Sequence, residues 1–215
     1  MRRHSQYEKA HFQAITCVDI GLNQSTGEFY NWARWLYPLV EPFLSSTRHR
    51  LVATVNERFP GSLLEIGVGT GGHLSDYLAT HVTGVDVSPG MIQMASRQKS
   101  SLGCEVDIKV MDGESLQFGD AAFDRVVMTY VLSVTAHPER MLAEAWRVLK
   151  PGGFAFILNH ETRASPHGWV SRVRRWLRLR SQFRFADIPG WPASSVIHRE
   201  SCLPGGWFTF VILQK

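Results

Sequence analysis

The ten residues Leu63-Leu64-Glu65-Ile66-Gly67-Val68-Gly69-Thr70-Gly71-Gly72 constrain this chain more than any other stretch. A short apolar run meets an acid, and glycines then stand at alternate positions. The run predicts a buried strand, and the glycines predict a sharp turn that opens a helix at about Gly71. Alternating glycines let the main chain bend tightly and let a ligand lie against backbone with no side chain between. A helix N-terminus beyond would add free amide N–H groups. The pattern reads as a nucleotide cradle; a plain glycine turn in an α/β domain is the alternative.

The turn alone leaves the nucleotide open. Gly67, Gly69 and Gly72 also satisfy the dinucleotide pattern G-x-G-x-x-G. The next strand, Val82-Thr83-Gly84-Val85-Asp86, ends in an acid that would hold a ribose in either case. Two features tip the balance. Glu65 would repel a pyrophosphate but suits a cationic or amine-bearing ligand. A third strand, Val106 to Met111, leads to Asp112-Gly113-Glu114, where Asp112 can accept a hydrogen bond from an adenine amino group. A ribose acid, an adenine acid and no phosphate site describe S-adenosylmethionine.

Strand and helix patterns alternate along the middle of the chain: strand 62–66, helix 71–80, strand 82–86, helix 88–99, strand 105–111, strand 123–128, helix 138–149, strand 153–159. Short links between them predict an α/β fold with a parallel sheet and helices on both faces. The ligand belongs at the carboxyl ends of strands one and four, where the strand order reverses. Ser88-Pro89 makes a helix start, and Lys150-Pro151-Gly152-Gly153 a helix stop. Two further strands are expected near 194–199 and 207–213, the second buried on both faces. Residues 25–58 read as helical, broken near Pro38 and Pro42, with Trp32, Trp35, Leu36, Leu39 and Phe43 on one stripe. The expected organisation is therefore an N-terminal helical segment, 1–58, and a ligand-binding domain, 59–215.

With 215 residues, 44% of them hydrophobic and 20% charged, the chain suits one globular unit with a substantial core. No uninterrupted apolar run approaches about 18 residues, so no spanning helix is expected. The N-terminus lacks the apolar core of a signal peptide, and Cys17, Cys104 and Cys202 are scattered without a C-x-x-C. Those features predict a reducing, cytoplasmic setting without disulfides or zinc. The net charge of +4 is unevenly placed: from Arg163 to Arg184 there are seven arginines and no acid. Trp169, Val173, Trp176, Leu177 and Arg180 share one stripe of a helix expected over 166–180. Tryptophan with arginine suits an anionic membrane surface or a phosphate-bearing substrate; packing on the sheet with solvated arginines is the plain alternative. No recognised nucleic-acid module is present.

The ordered motifs Glu65-x-Gly67-x-Gly69-x-Gly71, Val85-Asp86-Val87-Ser88, Asp112-Gly113-Glu114, Phe123-Asp124-Arg125-Val126-Val127 and Val148-Leu149-Lys150-Pro151-Gly152-Gly153 resemble those of class I S-adenosylmethionine-dependent methyltransferases. The resemblance implies a Rossmann-like, doubly wound, seven-stranded and mostly parallel sheet, closed by a hairpin, with an N-terminal helical lid. It implies S-adenosyl-L-methionine as cofactor, held by Glu65, Gly67, Gly69, Gly71, Asp86, Val87, Met91, Asp112, Gly113 and Thr129. Within the family, Tyr30-Asn31-Trp32-Ala33, Tyr130-Val131-Leu132-Ser133, Asn159-His160 and Leu203-Pro204-Gly205-Gly206-Trp207-Phe208 are similar to the small bacterial phosphatidylethanolamine N-methyltransferases, relatives of the ubiquinone and menaquinone C-methyltransferases. The chain departs from that subgroup at Tyr37-Pro38 and over 187–200.

Methyl transfer from a sulfonium is an in-line displacement that needs no metal. The protein must align acceptor and methyl, exclude water and leave the acceptor lone pair free. An ammonium acceptor must first lose a proton, which calls for a polar group nearby. Tyr130 after strand four, His160 after strand five, and Tyr30 on the lid are the candidate catalytic residues, with Tyr37 a further lid candidate. A soluble small-molecule acceptor and a non-catalytic cofactor-binding protein are the other readings. Expected partners are a small-molecule or lipid-headgroup substrate and an anionic membrane met through 166–180, with no nucleic acid and no metal.

Overall fold

Runs of aliphatic residues too short for helices and bounded by glycine or proline make strands, and here they pair into one sheet. The computed structural model describes residues 47–57, 61–98, 105–161, 183–202 and 208–215, all within one compact unit, Thr47–Lys215. In chain order come a helix over 47–56 (α1), then β1 (Ser62–Ile66), β2 (His81–Asp86), α2 (Pro89–Gln98), β3 (Glu105–Val110), β4 (Phe123–Thr129), α3 (Pro138–Val148), β5 (Leu149–His160), β6 (Val196–Cys202) and β7 (Phe208–Gln214). The sheet order is β3-β2-β1-β4-β5-β7-β6. The first five strands are parallel, and β7 and β6 close the sheet antiparallel. This is the mostly parallel seven-stranded sheet expected. The chain winds outward from β1 in one direction, then returns to β4 on its other side, which opens a crevice between their carboxyl ends.

Alternation along the strands sorts the core into two layers. One face carries Leu64, Ile66, Val126, Met128, Ala155, Ile157, Val211 and Leu213, covered by α3 and by Phe183, Phe185 and Ile188. The other carries Leu63, Val127, Phe156, Leu158, Phe210 and Ile212, against which α1 buries Leu51, Val52 and Val55. Arg125 lies on this second face, essentially sealed from solvent. Its guanidinium donates to the carbonyls of Val55 (3.3 Å) and Gly61 (2.9 Å), tying the end of α1 to the entry of β1.

One expected element is absent. Residues 71–80 do not form a helix; a single 3-10 turn, Leu74–Asp76, stands there. The cause lies in α1. The Asn56 side chain donates to the Asp76 carbonyl (2.8 Å) and accepts from the Leu78 amide (2.9 Å), taking backbone groups that a helix would satisfy internally. Leu74 and Tyr77 are buried, while Leu78 stays 68% exposed. The turn is instead stepped by Gly71 N–H to Val68 O, Leu74 N–H to Gly71 O and Asp76 N–H to His73 O. β5 starts earlier than the expected 153, because Leu149 already pairs with Phe123 before the register shifts at Lys150–Gly153. Gly152 there has φ +78 and donates to the Lys215 carbonyl (2.8 Å), which fixes the bend.

Candidate functional site

The glycine turn is built from three different requirements. Gly67, Gly69 and Gly71 all have positive φ (76, 55 and 76), where L side chains are strained. A Cβ on Gly67 would strike Val131, and one on Gly71 would strike Ala95 and Leu74, so these two are packing glycines. A Cβ on Gly69 would meet nothing within 4 Å. Gly69 therefore borders open space, as a ligand cradle requires. Gly113 differs: its missing Cβ makes room for Ile66 and Met141, so only its main chain can meet a ligand.

Asp86, at the carboxyl end of β2, braces the turn. One carboxylate oxygen accepts the Gly69 amide (3.0 Å) and the other the Ser88 amide (2.9 Å). Each oxygen keeps a further lone pair for a ligand hydroxyl. Ser88 caps α2, its hydroxyl accepting from the Met91 amide (3.4 Å). Val87 follows Asp86 and is 69% exposed, an apolar surface at the mouth of the turn; Met91 is half-buried one turn further on. Asp112 is exposed beyond β3, where it accepts from the Glu114 amide (2.9 Å). Glu114 in turn accepts from the Thr135 hydroxyl (2.5 Å) and the His137 amide (3.0 Å), anchoring the loop that follows β4. These bonds hold its carboxyl below the usual range against a partial burial cost.

Glu65 is 1% exposed. Burial pushes its carboxyl up to about 8; the Tyr77 hydroxyl and the Arg48 guanidinium pull the other way. Its Oε2 makes no hydrogen bond among the described residues, and neither does the Thr129 hydroxyl. The register sets these two on one side. Glu65 pairs with Val127, and Thr129 lies two residues further along the same face of β4. An unpaired buried acceptor and an unpaired buried hydroxyl at a crevice edge, beside an open glycine, fit an amine-bearing ligand with polar groups of its own. The residues present thus fit S-adenosylmethionine.

Tyr130 follows Thr129 with φ +59, a strained conformation for a bulky residue that the surroundings must enforce. Its amide donates to the Leu158 carbonyl (2.7 Å). Its ring meets Phe208 edge-on at 5.2 Å between centroids, Phe208 meets His160 at 6.0 Å, and the Arg48 guanidinium lies 5.2 Å from the Tyr130 ring centre. Tyr130, Phe208 and His160 thus form one aromatic cluster at the carboxyl edge.

The triplet Asn159-His160-Glu161 divides by alternation. Asn159 is buried on the opposite face, accepting from the Ser133 amide (3.4 Å) and donating to the His160 carbonyl (2.9 Å). Glu161 is buried there too, accepting from Arg199 of β6 (2.6 Å) and from the Phe185 amide (3.4 Å). Of the three, only His160 faces the aromatic cluster. Arg48 and Tyr77 are not among the residues singled out from sequence, and Phe208 stands there only as the end of the motif Leu203–Phe208; what brings them in is packing and the β5–β7 register, which no local pattern encodes. Tyr30, Tyr37 and the segment 166–180 lie outside the described residues. Among the described residues no group of three or more His, Cys, Asp or Glu is placed to hold a metal, and no helix is long and apolar enough to cross a membrane.

Comparison with known proteins gives this geometry its relatives. The methyltransferase-domain family matches residues 64–157. A phosphatidylethanolamine N-methyltransferase of Cereibacter sphaeroides is 36% identical over 180 residues, covering 79% of this chain and 87% of that protein. A ubiquinone/menaquinone biosynthesis C-methyltransferase of Bordetella parapertussis is 28% identical over 196 residues, covering 81% and 76%. A solved S-adenosylmethionine-dependent methyltransferase of Methanosarcina mazei shares the fold, with a TM-score of 0.59 at 20% identity over 76% of this chain and 96% of that one.

Proposed function

This chain belongs to the class I S-adenosylmethionine-dependent methyltransferases, and from that premise we propose that it methylates a small amine, the phosphatidylethanolamine headgroup first. The observation that carries this reading is the cluster Tyr130–Phe208–His160 at the carboxyl edge, beside the cofactor turn. Aromatic faces attract alkylammonium groups and favour them more as methyls replace hydrogens and water is excluded. The similarity to a phosphatidylethanolamine N-methyltransferase over most of both chains supports it.

The bound cofactor supplies a sulfonium-activated methyl to an in-line nucleophile. The protein's part is binding, orientation and one proton. Asp86 accepts the ribose hydroxyls, Asp112 the adenine amino group, and Val87 and Met91 offer apolar surface to the base. Gly69 would let the methionyl portion lie against main chain, with Gly67 and Gly71 shaping the turn around it, Glu65 and Thr129 as its polar neighbours and Gly113 lending backbone. The neutral His160 imidazole accepts the ammonium proton, freeing the lone pair. Tyr130 holds the acceptor nitrogen in line.

A second reading has its own support. A quinol ring would stack on the same aromatics, and the chain is similar to ubiquinone/menaquinone C-methyltransferases. One experiment separates them: label from methyl-labelled cofactor is followed into phosphatidylethanolamine vesicles, a demethylated quinol and a soluble-metabolite extract. Label in the lipid headgroup supports the first reading. Label in the quinol or the extract alone overturns it.

A further inference from the structure

The turn after β4 meets both halves of the site, and a buried side chain on the far face of the sheet holds it. Tyr130-Val131-Leu132-Ser133 wraps the carboxyl end of the strand. Tyr130 joins the aromatic cluster on one face, while Leu132 is buried in the core of the other. Between them Val131 packs against the cofactor turn, since a Cβ on Gly67 would come within 2.9 Å of its Cγ2. A shift of this turn therefore moves the acceptor cluster relative to the cofactor.

Left to itself, the turn would not keep this shape. Tyr130 has φ +59, and a bulky residue holds such a conformation only where its surroundings impose it. Two bonds to β5 do so. The Tyr130 amide donates to the Leu158 carbonyl at 2.7 Å, and the Ser133 amide donates to Asn159 Oδ1 at 3.4 Å. Asn159 is fully buried, and its Nδ2 donates to the His160 carbonyl at 2.9 Å. One side-chain amide thus grips the turn that carries Tyr130 with its oxygen and the main chain of His160 with its nitrogen. A buried amide costs free energy wherever its groups go unpaired. Packing alone would favour an aliphatic residue, such as Ala155 and Ile157 on the same face of β5. We propose that Asn159 is a positioning residue of methyl transfer: it fixes the spacing of Tyr130 and His160 and, through Val131, their alignment with the cofactor, acting from behind the strand. The proposal rests on the reading of Tyr130 and His160 as the acceptor site.

Three substitutions in the full chain test it. Asn159→Leu has a similar volume but makes neither bond. Asn159→Ser is too short to span the two partners and guards against misfolding of the first variant. Each should lower kcat on phosphatidylethanolamine vesicles by about tenfold to a hundredfold, the scale of a misplacement of about 1 Å. Calorimetric affinity for S-adenosylhomocysteine should stay within about threefold, because Asn159 lies behind the strand. Asn159→Asp is the rescue. Burial favours its neutral acid, which can accept from Ser133 and donate to the His160 carbonyl as the amide does, so kcat should return to within about threefold of wild type. NMR of the Tyr130 and His160 rings reads the geometry with no acceptor present. Both rings meet Phe208, whose ring current should shift their signals less in Asn159→Leu and Asn159→Ser than in wild type and Asn159→Asp. Unchanged kcat in a folded Asn159→Leu or Asn159→Ser overturns the proposal, and so do unchanged ring signals. Parallel loss of kcat, cofactor affinity and thermal stability, without rescue by Asn159→Asp, overturns it too, because Asn159 would then only support the fold. If label enters no amine, the amine reading fails, and the ring signals alone decide whether Asn159 sets the spacing of Tyr130 and His160.

Discussion

Gly69 and Gly71 look alike in sequence but stand in different surroundings. Both have positive φ, yet a Cβ on Gly71 presses on Ala95 and Leu74 at 3.0 Å, while one on Gly69 enters open space. Gly71→Ala therefore combines backbone strain with a clash and should cost about 2–3 kcal/mol of stability. Gly69→Ala carries only the backbone term, about 1 kcal/mol, but fills the space a ligand needs. Chemical denaturation and cofactor titration of the two variants should separate: Gly71→Ala loses stability, Gly69→Ala loses at least tenfold in affinity. Equal binding by Gly69→Ala and wild type would remove the cradle from the account. Glu65 yields a pH prediction of fixed sign. Its folded carboxyl titrates near 8 against an ordinary 4.5, so the folded state keeps a proton that the unfolded chain has released. Stability from this group is whole below about 4.5, declines as pH rises, and is gone above about 8. Glu65→Gln should flatten the melting profile across that window and gain on wild type toward its upper end, by several kcal/mol in order of magnitude. If the cofactor's ammonium sits on Glu65, binding near pH 7 should also release a proton. Calorimetry in buffers of different ionisation heat measures that release, which Glu65→Gln should abolish.

At the scale of elements, what the residue pattern shows depends on whether local rules decide. The five parallel strands and the closing hairpin follow from aliphatic runs and turn residues, and α2 starts at Pro89 behind Ser88 as the capping pattern requires. The missing helix at 71–80 was not legible, because Asn56, about twenty residues upstream, captures its backbone groups. The places of the two proposed cofactor acids were legible, because Asp86 ends β2 and Asp112 stands two residues beyond β3. The division of Asn159, His160 and Glu161 between faces follows from alternation, but their partners Ser133 and Arg199 come from distant parts of the chain. Arg125 shows the same limit: within its motif it reads as one more strand residue, yet it clamps α1 to β1. Burial lowers its pKa from the ordinary arginine value. Arg125→Met should leave the carbonyls of Val55 and Gly61 unpaired at a cost of about 2–4 kcal/mol, or about 5–10 °C in Tm. Arg125 lies near the amino end of β4, away from the crevice, so cofactor affinity at low temperature should stay within about twofold. A normal Tm would show that the clamp contributes nothing.

For the whole molecule, the distribution of charge matters more than its total. The +4 excess is small, but the stretch from Arg163 to Arg184 holds seven arginines and no acid, interleaved with Trp169 and Trp176. A lipid acceptor has to be reached at a membrane surface, and a basic segment with interfacial tryptophans is the means the sequence offers. Near an anionic surface each arginine contributes about 1 kcal/mol. Replacing Arg172, Arg174, Arg175 and Arg178 by Gln should then weaken binding to anionic liposomes by two to three orders of magnitude in co-sedimentation. High salt should mimic the substitution, because such contacts are screened over about a Debye length. Cofactor affinity should hardly change, since Asp86, Glu65 and the glycine turn belong to β1, β2 and their links. Turnover on phosphatidylethanolamine vesicles should fall with vesicle binding, whereas turnover on a short-chain, micelle-free analogue should hold. A wild type that ignores anionic liposomes at low salt would take away the membrane argument, and a soluble acceptor carrying its own negative charge would then be the better match for the arginines.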